Sequence, residues 1–177
     1  MGTVRKAILY IAASLDGYIA GPGDDLSFLS RVEKPGEDYG YAAFMKTVDT
    51  VLLGRKTYDW VMTRVKVFPH TGLKTYVFTR KQRSDNGLVQ FHSGDPGNLL
   101  RQLKGQSGRN IFIDGGAEII HTLLRDKLID EFYVSIIPVL LGSGTRLFRD
   151  ERPEQNLKLV SSQQYTTGLV QLHYTIA

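Results

Sequence analysis

Ile113-Asp114-Gly115-Gly116-Ala117-Glu118-Ile119 decides how this chain is read. Ahead of the glycines, Asn110-Ile111-Phe112-Ile113 is short, branched and aromatic, as a buried strand is. Behind them, Ile119, Ile120, Leu123, Leu124 and Leu128 fall on one helical face. The paired glycines are therefore a turn from strand into helix. Glycine lets a backbone come close to another group, and a helix start leaves N–H donors free, so a phosphate suits the junction; a tight turn without a ligand explains it as well.

Working outward, the same order recurs at Thr50-Val51-Leu52-Leu53-Gly54-Arg55-Lys56-Thr57-Tyr58, with Thr57, Tyr58, Trp60, Val61 and Val65 at helical spacing. Two cations and a hydroxyl at a helix start can hold an anion by charge-assisted bonds, or can simply be a basic, solvated helix end. In open α/β sheets, ligands lie outside the carboxyl ends of the strands, where both turns fall. The run Ala7 to Ala13 is apolar without helical spacing, which predicts a central strand covered on both faces. Further strands are predicted at Lys74 to Thr79, Leu88 to Phe91 and Glu131 to Val139, and helices at Asn98 to Leu103 and from about Asp38 to Thr47, the latter with Asp38 as N-cap. Leu157 to Gln163 and Leu169 to Ile176 read as a strand pair joined at Tyr165-Thr166-Thr167-Gly168. The pattern predicts an α/β fold in three layers: a mixed sheet with helices on both faces, finished by an antiparallel C-terminal hairpin.

The 177 residues, 42% hydrophobic and 23% charged, are enough for one domain with a continuous core, and we read residues 1–177 as that domain. The absence of cysteine excludes disulfides, thiolate metal sites and a cysteine nucleophile. The net charge of +4 is scattered, without a basic helix run or an aromatic-basic stripe, so a phosphorylated small molecule is favoured over nucleic acid. Ala7 to Ala13 is too short to span a membrane, which points to a cytoplasmic protein. His70, His92, His121 and His173 lack metal-ligand spacing, so no metal is expected; His121 reads as a surface or capping residue. Neither G-x-G-x-x-G nor G-x-x-x-x-G-K-[ST] occurs.

Ala12-Ala13-Ser14-Leu15-Asp16-Gly17-Tyr18-Ile19-Ala20, Leu53 to Tyr58, Val77-Phe78-Thr79-Arg80 and Asp114 to Glu118, in that order, resemble the dihydrofolate-reductase superfamily. Within it, the S-x-D-G-x-x-A element and Pro138-Val139-Leu140-Leu141-Gly142-Ser143-Gly144 with Leu147-Phe148 resemble the C-terminal reductase domain of the bifunctional riboflavin deaminase-reductase and its stand-alone relatives. The resemblance implies a dihydrofolate-reductase-like fold, a homodimer, and NADPH extended over the sheet. Gly54, Arg55, Lys56 and Thr57 match the family's phosphate-binding helix start, and Thr79 and Arg80 the positions that meet the adenosine 2′-phosphate. Gly115, Gly116, Ala117, Glu118 and Ile119 match the pyrophosphate turn, whose Gly-Gly bond is often cis in that family. Ala12, Ala13, Ile19 and Ala20 match the surroundings of the nicotinamide. The implied reaction is hydride transfer from C4 of NADPH to a C=N or C=O of a small heterocycle, similar to that of 5-amino-6-(5-phosphoribosylamino)uracil reductase.

An acid is also expected. Counting back from Gly54 by the folate reductases' spacing lands on Asp38, with Glu37 beside it. A carboxyl buried in the cleft would have a raised pKa and could protonate a ring nitrogen; an ordinary N-cap is the alternative for Asp38. Asp16 is kept as a site-lining residue, although Asp-Gly is a turn former. Arg146 is expected to pair at the surface, or to reach a substrate phosphate. Leu73 stands where folate reductases carry an Arg for the glutamate carboxylate, which argues against folate. The zinc signatures H-x-E and P-C-x-x-C of the deaminase half are missing. The alternatives are a dihydrofolate or pterin reductase and a nucleotide-binding module without turnover.

Overall fold

A strand with no polar side to show water belongs in the middle of a sheet. The N-terminal run meets that condition as β1 (Ala7–Ser14), with Ala7, Ile8, Leu9 and Ala13 all buried. The computed structural model describes residues 4–150 and 152–177. After β1 come β2 (Tyr18–Ala20), α1 (Tyr41–Met45), β3 (Val48–Gly54), α2 (Arg55–Met62), β4 (Lys74–Phe78) and β5 (Val89–His92). Then follow α3 (Pro96–Lys104), β6 (Asn110–Gly115), α4 (Ala117–Arg125), β7 (Glu131–Ile137), β8 (Thr145–Arg146), β9 (Leu157–Gln164) and β10 (Val170–Ile176).

The main sheet runs β5-β4-β3-β6-β1-β7-β10-β9, while β2 and β8 form a separate ribbon. From β5 to β7 all neighbours pair parallel, and β10 closes antiparallel against β7 and β9. Alternation along the strands divides the core between the two faces. Leu9, Leu52, Ile111 and Ile113 meet Leu100 and Leu103 of α3 and Ile120 and Leu123 of α4. Ile8, Val51, Leu53, Val77 and Phe112 meet Phe44 of α1 and Tyr58 of α2. This is the expected mixed sheet with helices on both faces and a C-terminal hairpin. Because the central strands are parallel, Ser14, Gly54, Phe78 and Gly115 end on one edge.

The expected helix from Asp38 to Thr47 is shortened to five residues. Tyr39 and Gly40 take φ of 56° and 83°, left-handed values that a helix cannot include, so the chain turns before it coils. Asp38 caps that turn from outside, accepting from the N–H of Gly40 and of Ala42, each at 2.9 Å. Val65, assigned to the face of α2, lies past its end and is exposed. At α3 the reading holds: Asp95 accepts from the N–H of Asn98 at 2.8 Å and Pro96 opens the helix. Short pieces without periodicity were not foreseen. These are β2, β8 and the 3₁₀ turns Pro22–Asp24 and Ser27–Val32, the second of which packs Phe28 and Val32 on Ile137 and Leu169.

Asp16 ties two of these pieces together. Its carboxylate accepts from the Ser14 hydroxyl at 2.6 Å, from the N–H of Leu141 at 3.1 Å and from that of Gly142 at 2.7 Å. The Ser14 hydroxyl, and after it the two backbone N–H groups, lower its pKa from 3.8 to about 2. A depressed carboxylate stabilises the fold above its ordinary pKa, and that contribution is lost as pH falls through the folded value. Asp16→Asn should therefore lower the thermal midpoint by a constant amount above pH 3.8, and the gap to wild type should narrow as pH falls towards about 2. Thermal melts of both proteins across that range check it; a gap that does not change with pH would show that the charge of Asp16 contributes nothing.

Candidate functional site

The two glycine turns foreseen from the sequence lie against each other. A Cβ placed on Gly116 would sit 3.2 Å from Gly54 Cα and 3.5 Å from Thr57 Oγ1, and one on Gly54 would sit 3.6 Å from Gly116 Cα. Gly115 and Gly116 have φ of 128° and 84°, which side-chain-bearing residues rarely adopt. The bond between them is trans, not the cis form that the resemblance suggested: the left-handed backbone at both glycines makes the reversal. Gly54 precedes α2, Gly116 precedes α4, and neither helix start is capped by a side chain. Two sets of free N–H donors thus converge where β3 and β6 end, a cradle that side chains would fill and that fits a pyrophosphate.

The cations are less free than their positions suggested. Arg55 bonds Asp59 at 2.9 Å one turn along α2, and Asp59 also takes Arg83 at 2.8 Å. Lys56 is 81% exposed and 4.0 Å from Asp24. Thr79 is buried, with its hydroxyl 3.1 Å from both N and O of Lys81, while Arg80 is exposed at the end of β4. Glu118 is paired with Arg149, which holds its carboxyl below the usual range. Only backbone groups of Glu118 are left to face the turn. Ala117 is half-buried, and Ile119 packs its side chain towards Gly54.

On the α1 side of the sheet a cavity of about 750 Å³ opens, lined among others by Tyr10, Ala12, Glu37, Asp38, Tyr39 and Tyr41. That volume is in the range of small-molecule sites. Ala12 belongs to both the cavity and the set expected around a nicotinamide. Ala13 faces the opposite core, Ile19 packs against that core, and Ala20 is buried in β2 beside Gly144. The lining is largely apolar, with a hydrogen-bond network behind it: Tyr10 donates to the Tyr39 carbonyl at 2.7 Å, and the Gln171 amide donates to Tyr10 Oη at 2.9 Å and Ser135 Oγ at 3.1 Å. Burial raises the pKa of Tyr10 and, reinforced by the Asp114 carboxylate, that of Tyr41, so both phenols stay protonated as donors. Tyr39, an aromatic residue at φ 56°, spends backbone strain on the wall of this cavity.

Glu37 and Asp38 reach the cavity; Asp16 does not line it and serves instead in the turn described above. Asp38 departs from the raised pKa expected of a cleft acid. It is exposed, and the N–H groups of Ala42 and then Gly40 lower its pKa. Glu37 accepts from the N–H of Tyr39 at 2.9 Å. Sequence reasoning missed Tyr10, Tyr39, Tyr41 and Gln171; only Gln171, a polar residue within a strand, offered a signal. Arg146 stacks over the Tyr18 ring at 4.9 Å, and half-buried His121 places Nε2 3.1 Å from the Leu147 carbonyl. Among the described residues no helix is long and apolar enough to cross a membrane.

Comparison with known proteins identifies the fold and the family. Over 174 residues the chain is 42% identical to YwjB of Bacillus subtilis (strain 168), spanning 98% of this chain and 99% of that protein. A crystal structure from Shewanella sp. PV-4, named "Putative riboflavin biosynthesis protein", superposes with a TM-score of 0.88 at 29% identity, over 97% of this chain and 99% of that one. The Thermotoga maritima diaminohydroxyphosphoribosylaminopyrimidine deaminase/5-amino-6-(5-phosphoribosylamino)uracil reductase, at 16% identity and a TM-score of 0.71, shares the fold, with 98% of this chain covering 57% of that one. The pattern of the RibD C-terminal domain matches residues 5–171, and the chain belongs to that family.

Proposed function

We propose that this chain is an NADPH-dependent oxidoreductase that reduces a small heterocyclic substrate, in a reaction similar to that of 5-amino-6-(5-phosphoribosylamino)uracil reductase. One observation carries the reading: the cradle at Gly54 and Gly116 lies on the strand edge where β1 also ends, and Ala12 of β1 lines the 750 Å³ cavity. A cofactor held at the cradle and a substrate held in the cavity would meet at Ala12. The free N–H groups at the starts of α2 and α4, with Thr57, would hold the pyrophosphate, and Thr79 and Arg80 would meet the 2′-phosphate. NADPH, when bound, supplies the hydride. The chain's own contribution is orientation and exclusion of water, with the substrate's heteroatom taking a proton as its carbon takes the hydride. Asp38, ionised and bonded to two N–H groups, is better suited to hold the cavity wall than to give up a proton, so Glu37 is the acid to test.

The fold edge supports a homodimer, because β9 is exposed along its whole length and shows Leu157, Leu159 and Val160 to solvent. A cytoplasmic protein of one domain fits the same reading. Leu73, partly buried in the core beneath α2, offers a folate glutamate no cation, which disfavours the folate reductase alternative.

Titration with NADPH and NADH, followed by loss of nicotinamide absorbance against pyrimidine, pterin and carbonyl substrates, tests the proposal. NADPH should bind more tightly than NADH. Arg80→Ala should reduce that preference about tenfold or more, since a charge-assisted bond contributes about 1.5 to 3 kcal/mol. Equal affinity of the wild type for both cofactors would overturn the assignment, and binding without oxidation of any substrate would favour the passive module. Gly116→Ala should lower stability by roughly 1 to 3 kcal/mol through the forced left-handed backbone and the Cβ pressed on Gly54. It should also abolish NADPH binding; a variant that melts lower yet binds normally would make the turn purely structural.

A further inference from the structure

The cavity beside Ala12 has the opposite charge to the chain around it. Overall the chain is basic, at +4, and Arg55, Lys56 and Arg80, where β3 and β4 end, follow that trend. The cavity reverses it. Glu33, Glu37 and Asp38 line it with one cation, Lys34, so three carboxylates and one ammonium leave the described lining a formal charge of −2. Lys34 lies at the exposed rim and donates from Nζ to the Thr166 hydroxyl at 2.8 Å. Glu37, half-buried, is the most enclosed of the four. Single exposed charges are screened by water, but charges gathered around a recess with low-dielectric walls add to one potential. That potential reaches the lining: burial chiefly, with smaller pushes from the Tyr165 and Asp38 charges, raises the pKa of Tyr10.

A phosphate is held where cations or free helix-start N–H groups converge, as they do at the cradle. One lysine among three carboxylates repels it instead. Proton supply points to the same kind of substrate. A C=N or C=O that takes hydride leaves an electron pair on its heteroatom, and that pair must hold a proton or neutralise a positive charge. Asp38 is kept ionised by two N–H bonds, the phenols of Tyr10 and Tyr41 hold their protons tightly, and the described lining contains no histidine. A substrate that arrives as a cation needs none of them. We propose that the substrate is an unphosphorylated heterocycle reduced as a cation, at a protonated or alkylated C=N, and that Glu33 and Glu37 select it by charge. The iminium carbon gains a C–H bond with the electron pair of the hydride from C4 of NADPH, the C=N π pair returns to nitrogen, and a neutral amine and an oxidised nicotinamide result. The inference rests on the reductase reading: it keeps hydride transfer, and it sets this chain apart from the phosphoribosyl substrate in the name of the Thermotoga protein.

Two probes share one ring: 2-(2-hydroxyethyl)-3,4-dihydroisoquinolinium, a permanent cation, and its phosphate ester, which is net negative at neutral pH. Binding is read by calorimetry and turnover by loss of nicotinamide absorbance, in wild type and in the double variant Glu33→Gln/Glu37→Gln. The variant brings the formal charge of the lining to zero, and Gln keeps the acceptor that the Tyr39 N–H uses. The wild type should bind and reduce the hydroxyethyl probe about tenfold or more better than the ester, and added salt should shrink the gap. The double variant should lose most of that preference while NADPH affinity stays within about twofold. Because a permanent cation needs no proton, such a loss is not the loss of an acid. Equal affinity of wild type for the two probes, or a preference that the variant leaves intact, would overturn selection by charge. A wild type that prefers the ester would return the chain to phosphorylated substrates, and NADPH binding with no reduction of the hydroxyethyl probe would overturn the cationic C=N. Failure to bind NADPH would instead count against the reductase reading, and calorimetry of the two probes would still judge the cavity.

Discussion

The contact of Gly54 with Gly116 sets the arrangement around it. β3 and β6 are neighbours, and their pairing shifts register between Leu52 and Leu53, so that Leu53 meets Gly115 and the two turns fall side by side. A Cβ on Gly116 would press on Gly54 Cα at 3.2 Å, whereas one on Gly54 would make ordinary contact at 3.6 Å, so the close approach depends on Gly116. With both bare, α2 and α4 start within a few ångströms of each other and then diverge to opposite faces of the sheet, each covering its own core. The convergence of free helix-start donors follows from this backbone contact and not from the nearby cations, of which Arg55 is tied to Asp59.

The two edges of the parallel sheet are used differently. At the amino-terminal edge, polar groups are spent on each other. Buried Arg5 bonds Asp49, the Thr50 hydroxyl at 2.7 Å and the carbonyls of Arg109 and Leu103, while Asp130 receives Lys104 at 2.6 Å and the N–H of Ala7 at 2.7 Å. Removing one partner of a buried charge typically costs about 3 to 5 kcal/mol, which makes buried Arg5, more than the part-exposed Lys104–Asp130 pair, the stability element of this edge. At the carboxyl edge, helix starts stay uncapped by side chains, Tyr39 holds a strained backbone, and Asp114 keeps one oxygen without a side-chain partner among the described residues. The carboxyl edge has ion pairs of its own, among them Arg55 with Asp59 and Glu118 with Arg149, so what sets it apart is the pair of helix starts uncapped by side chains.

Several carboxylates in this chain serve backbone. Asp16 gathers N–H groups from the loop after β7, Asp38 caps the turn before α1, and Asp95 caps α3. Asp38 and Asp95 act locally, whereas Asp16 reaches residues 125 and 126 positions away, and each is fixed in place by N–H donors. This explains why the acid expected at Asp38 lies at the cavity yet lacks the environment of a proton donor: a carboxyl that accepts two backbone N–H bonds is held ionised.

Apart from the short β2 and β8 and the 3₁₀ turns, the sequence alone determined the order of the helices and of the main-sheet strands, the central place of β1, the C-terminal hairpin and both glycine turns. These rest on periodicity and on the chemistry of neighbouring residues, which a local window contains. It could not show that Gly54 and Gly116 touch, that Tyr39 and Gly40 turn left-handed and cut α1 to five residues, or that Tyr10, Tyr39 and Gln171 share one hydrogen-bond network. Nor could it pair His70 with Asp114, 44 residues apart. Those contacts depend on which strands lie side by side and in what register. Sheet order and register are set by how all the strands bury their faces together, so only the tertiary structure decided them.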